Sequence, residues 1–477
     1  MTKVTTKNTN EKNRQLYLDI SLLGIILFYI FRIPLTNMVG NEGNGYFAFA
    51  IEGYGVFALF FGNAVYQVTM KMVKIRSRKQ IYSTCNHIYV LALIISFTIS
   101  VLGALVLFFG SSYIKFTDFP ILTAVGIKFL TVLLVFTSIC GVIRGYFEGI
   151  GTNVPTAFSK IIEAFIAGTG ALIFTSILGK YGSKIGALLI NNQYKSAFSA
   201  AGIIVGCICG SIFSLLFLIV VKKIYSYSQN NIKQKNIEED KFSVKKMILE
   251  FTKVFFITIL ELLFFKSYRL CNILIFTNVY TNNIEGDNKL LSIIGAYHGK
   301  ILVLNTILIL LILSVTGQNI GKIRKCYMKR LSEQSWKFLC EDIKKILILS
   351  LPLFGILGFF SKNILMFFYK SASTTETLYL KIGSVGIVLV TLAIYFYKIL
   401  KKLDFNLSLI FIPIIAFVGQ LVVMYLLVNM ESVRSISFII SELIFWALVS
   451  SMEFFVILRA LKPEMFQIES YLKKENV

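Results

Sequence analysis

Apolar residues along this chain gather in blocks of about 20, rather than alternating or recurring every three to four positions. The blocks lie near 16–39, 46–70, 86–110, 120–143, 155–178 and 198–222, and again near 249–278, 290–318, 344–369, 379–401, 405–429 and 436–461. Each is long enough to cross a bilayer as a helix, so the pattern predicts an all-α integral membrane protein with about twelve spans. The longest polar interval, 223–247, contains SQNNIKQKNIEEDK and reads as a solvated linker. It divides the chain into an N-terminal six-helix bundle (1–222) and a C-terminal one (248–477). The segment 319–343, basic and amphipathic, is expected to lie along the membrane surface. The first 15 residues are polar and lead directly into a full-length span, so the first helix is expected to remain uncleaved.

Charge refines this picture. Only 15% of the 477 residues are charged and 56% are hydrophobic, yet the net charge is +23. The cations sit in alternate loops: Lys3, Lys7, Lys12 and Arg14; Lys71 to Lys79; the central linker; Lys322 to Arg330; Lys398 to Lys402; and Lys473 and Lys474. The opposite loops carry Glu42, Asp118, Glu285, Asp287, Glu376 and Glu431. By the positive-inside rule the basic side, with both termini, is expected to be cytoplasmic, and the expected location is a cell membrane. The aromatics lie inside the apolar blocks, which argues against a nucleic-acid partner. Seven cysteines fall within or beside the spans and form no external disulfide pattern. Two histidines, His87 and His298, are too few for a histidine-based metal or acid–base centre. No P-loop, metal cluster or large extramembrane domain is evident, so neither an ATPase nor another enzyme is expected, and no cofactor.

QVTMKMVKIRSRKQ after the second block is echoed by VTGQNIGKIRKCYMKR after the eighth, and FFGSSYIKF by FFSKNILMFFY, at an offset of about half the chain. Two parallel halves of this kind describe transporters that bind substrate between repeats.

Polar residues inside the spans are the candidate chemistry, because charge in hydrocarbon is costly. Arg32 lies near the outer end of the first block, ahead of Pro34, with Gly40, Gly43 and Gly45 forming a tight turn in RIPLTNMVGNEGNGYF. It reads either as an arginine of an internal site or as one reaching the outer headgroups. In IRGYFEGIGTNVPTAFSKIIEAF, Arg144 and Glu148 are spaced i, i+4 and are expected to pair. Gly151 ends one helix, and Thr152 or Asn153 caps the next ahead of Pro155. Glu163 then falls two to three turns inside the fifth span, where a carboxylate needs a partner or a proton. The seventh block carries Glu261, then Lys266, Arg269 and Asn272 at steps of three, a polar stripe suited to a diphosphate in an internal site or, if the helix is leaving the membrane there, to the outer headgroups.

RIPLTNMVGNEGNGYF and RGYFEGIGTNVPTAFSKIIEAF resemble segments of the polysaccharide-transport and lipid II flippase branch of the MATE-like (MOP) superfamily, above all its Gram-positive members. The resemblance implies two six-helix bundles with alternating access and a polyprenyl-diphosphate-linked saccharide as cargo. It implies a site that includes Arg32 and Glu163; the polar residues of the seventh block, Glu261, Lys266, Arg269 and Asn272, are the further site candidates. Gly43, Gly45, Arg144, Glu148, Gly151 and Pro155 would serve structure and gating. Membrane lipids are the expected surroundings, a monomer the expected state, and a proton, a sodium ion or the membrane potential the driver. The C-terminal half departs from the family pattern: YFYKILKKLDF lacks the expected glycine, and the eighth block offers Lys300 rather than arginine. The second reading is a MATE-type antiporter of small organic cations.

Overall fold

The structure, a computed structural model, describes residues 2–79, 81–113, 120–230, 244–281 and 287–462. The centre of the expected linker (231–243), Asp118, Glu285, Lys473 and Lys474 lie outside the described residues, as do the side chains of Lys3, Lys7, Lys12, Arg14 and Asp287.

Every described element is helical. The order is α1 (Thr2–Ala58), a π-helical turn (Leu59–Asn63), α2 (Ala64–Arg78), α3 (Tyr82–Gly110), α4 (Pro120–Ile150), α5 (Val154–Leu188), α6 (Gln193–Asn230) and α7 (Val244–Thr281). Then come α8 (Asp287–Ala296), a second π-helical turn (Tyr297–Ile301), α9 (Leu302–Val315), α10 (Ile320–Met328) and α11 (Ser332–Phe359). The chain ends with α12 (Ser361–Tyr369), α13 (Thr374–Gly383), α14 (Val385–Lys402), α15 (Asn406–Val428) and α16 (Ser437–Leu461).

All twelve apolar blocks fall on these helices. Among the described residues nine helices are long and apolar enough to cross a membrane, or ten if the bent pair α11–α12 counts as one span. One of the nine, Leu22–Arg78, has 57 residues. That is about 85 Å of helix against a hydrocarbon core of about 30 Å. The run breaks at Gly40, whose φ of 73° and ψ of 176° belong to a region open essentially to glycine alone. The charges of Glu261, Lys266 and Arg269 keep α7 out of the nine, although it has 38 residues.

Three local expectations are corrected. The segment 319–343 is not one surface helix: α10 is separate, and residues from Ser332 onward form the first turns of the 28-residue α11. That helix ends at Phe359, inside the expected 344–369 block, where α12 departs at 83°. Gly43 and Gly45 do not form the turn; Gly40 does so alone. A Cβ on Gly43 would lie 2.8 Å from the Ser196 carbonyl, and one on Gly45 2.4 Å from that of Leu291, so these glycines let α1 approach α6 and α8. Helices α6 and α7 also extend into both ends of the expected linker.

The contacts form two compact units: Met1–Leu270 with Tyr280–Lys300, and Cys271–Val279 with Ile301–Val477. In the first, α5 and α6 pack through a ladder of Gly202, Gly206 and Gly210, whose added Cβ atoms would fall 2.5 Å or less from backbone atoms of Thr175, Ala171 and Glu163. Without a hydrophobic force between helices in lipid, such backbone approach is what holds them. Outward-facing Ile94, Val106 and Phe109 of α3 are about two-thirds exposed. On a soluble surface such a stripe would aggregate; facing acyl chains it is at home.

In the second unit, Asp342 of α11 is buried and accepts hydrogen bonds from Asn319 Nδ2 (2.8 Å) and Tyr395 Oη (3.0 Å), tying the start of α10 to α11 and α14. Ser373 and Glu376 form a reciprocal capping box that starts α13, so Glu376 is a helix cap and not a free loop charge. The outward stripe Phe411, Ile415, Val418 and Val422 on α15 follows the helical repeat.

Candidate functional site

The site in the first unit is built around the break at Gly40. Ending a helix there leaves carbonyls without intrahelical donors. The Asn44 amide Nδ2 donates to Gly40 O at 2.7 Å and to Thr36 O at 3.4 Å. The other end of the same amide, Oδ1, accepts from Arg32 Nη2 at 2.9 Å. The guanidinium also lies 4.2 Å from the centroid of the Phe47 ring. Arg32 is 3% exposed, so it points inward rather than to the outer headgroups.

The second wall is the π-helical turn Tyr297–Ile301. Thr36 Oγ1 donates to Gly299 O at 2.9 Å. A Cβ on Gly299 would meet Asn44 Cγ at 2.8 Å. The widened turn therefore fits closely against the broken helix, and insertions of this kind are common at functional sites. It presents His298 and buries Lys300.

The third wall is α7. Arg269 Nη1 and His298 Nδ1 stand 3.8 Å and 3.7 Å from the same carboxylate oxygen, Oε1 of Glu52 on α1. Lys266 lies one turn before Arg269 and within electrostatic reach of both Glu52 and Arg269. His298 is within reach of both Arg32 and Arg269. These contacts join the residues into one cluster: Lys266, Arg269 and His298 around Glu52, with Arg32 within reach of His298. The sequence reading found Arg32, Lys266 and Arg269. It missed Glu52, which sits among glycines and aromatics in the second block, and it discounted His298 because a lone histidine has no pattern. The early YHGK glycine beside the only basic residues of the eighth block was the available signal.

Asn272 is not part of this cluster. Steps of three residues turn about 60° backwards around a helix each time, so Asn272 sits a third of a turn from Lys266. In the second unit its Nδ2 donates to Ser441 Oγ at 2.9 Å and its Oδ1 accepts from Gln420 Nε2. Glu261 is buried two turns before Arg269.

Arg144 and Glu148 do not pair. Arg144 Nη2 instead donates to Glu163 at 2.5 Å and to Ser214 Oγ at 2.8 Å, while Nε donates to Ser159 Oγ at 2.9 Å. Glu148 accepts from Tyr66 Oη at 2.5 Å. The i, i+4 spacing gave way because two neighbouring helices, α5 and α6, offer Arg144 three partners. Glu163 is thus neutralised by a structural clamp in the first unit. Gly151 (φ 108°) closes α4, with Gly151 and Thr152 amides both donating to Phe147 O. Pro155 occupies the first turn of α5, after an Asn153 N-cap whose side chain makes no capping bond.

No protein-family model matches the chain. It is 23% identical over 224 residues to Stage V sporulation protein B of Bacillus subtilis (strain 168), a match spanning 46% of this chain and 40% of that protein. Solved structures superpose over almost its whole length. A multidrug resistance MATE family transporter of the MOP superfamily, inward-facing, aligns with a TM-score of 0.66 at 15% identity, covering 93% of this chain and 99% of that one. MATE in the straight conformation gives 0.62 at 14% identity over 95% and 97%. A MOP superfamily transporter from Pyrococcus furiosus, for which a reverse polarity of the binding pocket suggests a different function, gives 0.58 at 13% identity over 94% and 95%. The chain is a multi-pass membrane protein with the fold of the MATE transporters of the MOP superfamily.

Proposed function

We propose that this protein carries the anionic headgroup of a polyprenyl-diphosphate-linked oligosaccharide across the membrane by alternating access. The observation behind this reading is the sign of the cluster. Lys266 and Arg269 stand around one carboxylate, Glu52, and Arg32 lies within reach of His298 beside it, leaving an excess of positive charge inside a spanning unit. A fixed cationic cluster lowers the barrier for a diphosphate, which cannot cross hydrocarbon unaided. The guanidinium of Arg269 suits a phosphate fork and Lys266 a point charge. Glu52 acts as the internal counter-anion that holds these cations until a diphosphate replaces it. The Pyrococcus transporter is a precedent for a pocket of other polarity on this fold.

The second reading, antiport of small organic cations, draws on the multidrug transporters that share the fold. It needs a site dominated by carboxylates, and the present cluster has one.

The test uses purified protein in proteoliposomes with a fluorescent polyprenyl-diphosphate saccharide, scoring headgroup protection from an external quencher. Accelerated exchange, lost in Arg32→Ala and Lys266→Ala, is expected. Absence of exchange together with proton- or sodium-driven uptake of organic cations would replace this reading with the antiporter.

A further inference from the structure

A groove of about 660 Å³ opens on the outer face of the second unit. Its floor is one stripe of α11: Trp336, Cys340, Lys344, Leu347 and Leu351, at helical spacing. Phe454 of α16 forms the opposite wall, its ring 6.4 Å from that of Trp336. From Trp336 to Pro352 the stripe runs about 24 Å, enough for an acyl chain that spans half of the ~30 Å hydrocarbon core.

The groove has one polar end. Lys462 lies over the Trp336 ring at 5.1 Å. The Lys462 ammonium therefore marks the end of the groove at the tryptophan, the residue type that marks the headgroup level of a bilayer. The stem of Lys344 lines the groove two turns further along α11. Of the acids nearby, Asp342 is turned inward to Asn319 and Tyr395, Glu341 stands about 100° round the helix from Cys340, and Glu333 is exposed one turn before Trp336. An apolar trough with a Trp- and lysine-marked end is complementary to one molecule with an acyl chain and an anionic phosphate.

We propose that this groove is a binding site for an anionic glycerophospholipid, its acyl chain along Leu347 and Leu351 and its phosphate beside Lys462 at the Trp336 end. A second copy of the chain fits less well, because it would bring a further lysine to the same end. The site is independent of the transport reading.

The chain has only two tryptophans, so Trp446→Phe leaves Trp336 as the sole emitter. In vesicles of the full-length Trp446→Phe protein, brominated-chain phosphatidylglycerol is titrated against brominated-chain phosphatidylcholine, with fluorescence quenching as the readout. Quenching by the anionic lipid at about five-fold lower mole fraction is expected, since one basic group near an anionic surface supplies a preference of that order. Lys344→Ala with Lys462→Ala should bring the two lipids to the same curve while leaving quenching itself intact. Equal curves without the lysine changes, or a preference that survives them, would overturn the proposal. So would the absence of quenching by either lipid, the outcome expected of a groove closed by a second copy.

Discussion

Arg32 and Glu52 carry the account at the level of single residues. Arg32 is held by the Asn44 amide and the Phe47 face, an arrangement specific to a planar cation. Arg32→Ala removes a charge-assisted contact worth about 1.5–3 kcal/mol, so headgroup transfer should slow by about 10- to 100-fold. Arg32→Lys, which keeps charge but not the fork, should recover only part of that. A Lys variant at wild-type rate would mean that net charge alone matters. For Glu52→Gln the expected result has opposite signs in two measurements. Binding of a diphosphate lipid should tighten, because the competing anion is gone, while turnover falls, because nothing displaces the cargo. Weaker binding in titrations would refute the counter-anion role. Of this cluster, the basic members were legible because a cation inside an apolar block stands out. Glu52 and His298 were not: a single carboxylate and a single histidine acquire meaning only when α1 and α7 bring cations to them.

Helix packing explains what spacing alone misjudged. The expected Arg144–Glu148 pair follows the i, i+4 rule for an isolated helix, worth about 0.2–0.5 kcal/mol. The buried bonds from Arg144 to Glu163, Ser159 and Ser214 outweigh it. A double-mutant thermal-stability cycle of Arg144→Ala and Glu163→Ala should give a coupling of about 0.5–3 kcal/mol, against almost none for Arg144 with Glu148. The Gly202–Gly206–Gly210 ladder passed unnoticed because it is spelled in glycines among apolar residues, yet it sets the closeness of α5 and α6. Gly206→Leu must push backbones apart and should cost about 1–3 kcal/mol. Asp342 was hidden in a segment that read as a surface helix. Asp342→Ala strands two buried donors, Asn319 and Tyr395, and should lower the melting temperature of the detergent-solubilised protein more than any exposed change on α11.

At the scale of the molecule, the succession of apolar blocks was enough to place the long apolar helices, because lipid leaves the backbone no other spanning solution at these lengths. Periodicity within blocks said much less. A spanning helix is apolar on all sides, so its buried face is encoded by small and polar residues rather than by a hydrophobic stripe. The site assembled from α1, the π-helical turn and α7 lay beyond any window for this reason. The central claim is that this cationic cluster recognises an anionic headgroup. The most direct measurement compares, in one set of proteoliposomes, the crossing rates of a polyprenyl-diphosphate saccharide and of the same lipid with an uncharged linkage. The wild-type protein should favour the diphosphate strongly, and Arg32→Ala with Arg269→Ala should remove the preference. Equal rates for the two lipids, or a preference untouched by losing both arginines, would contradict the account.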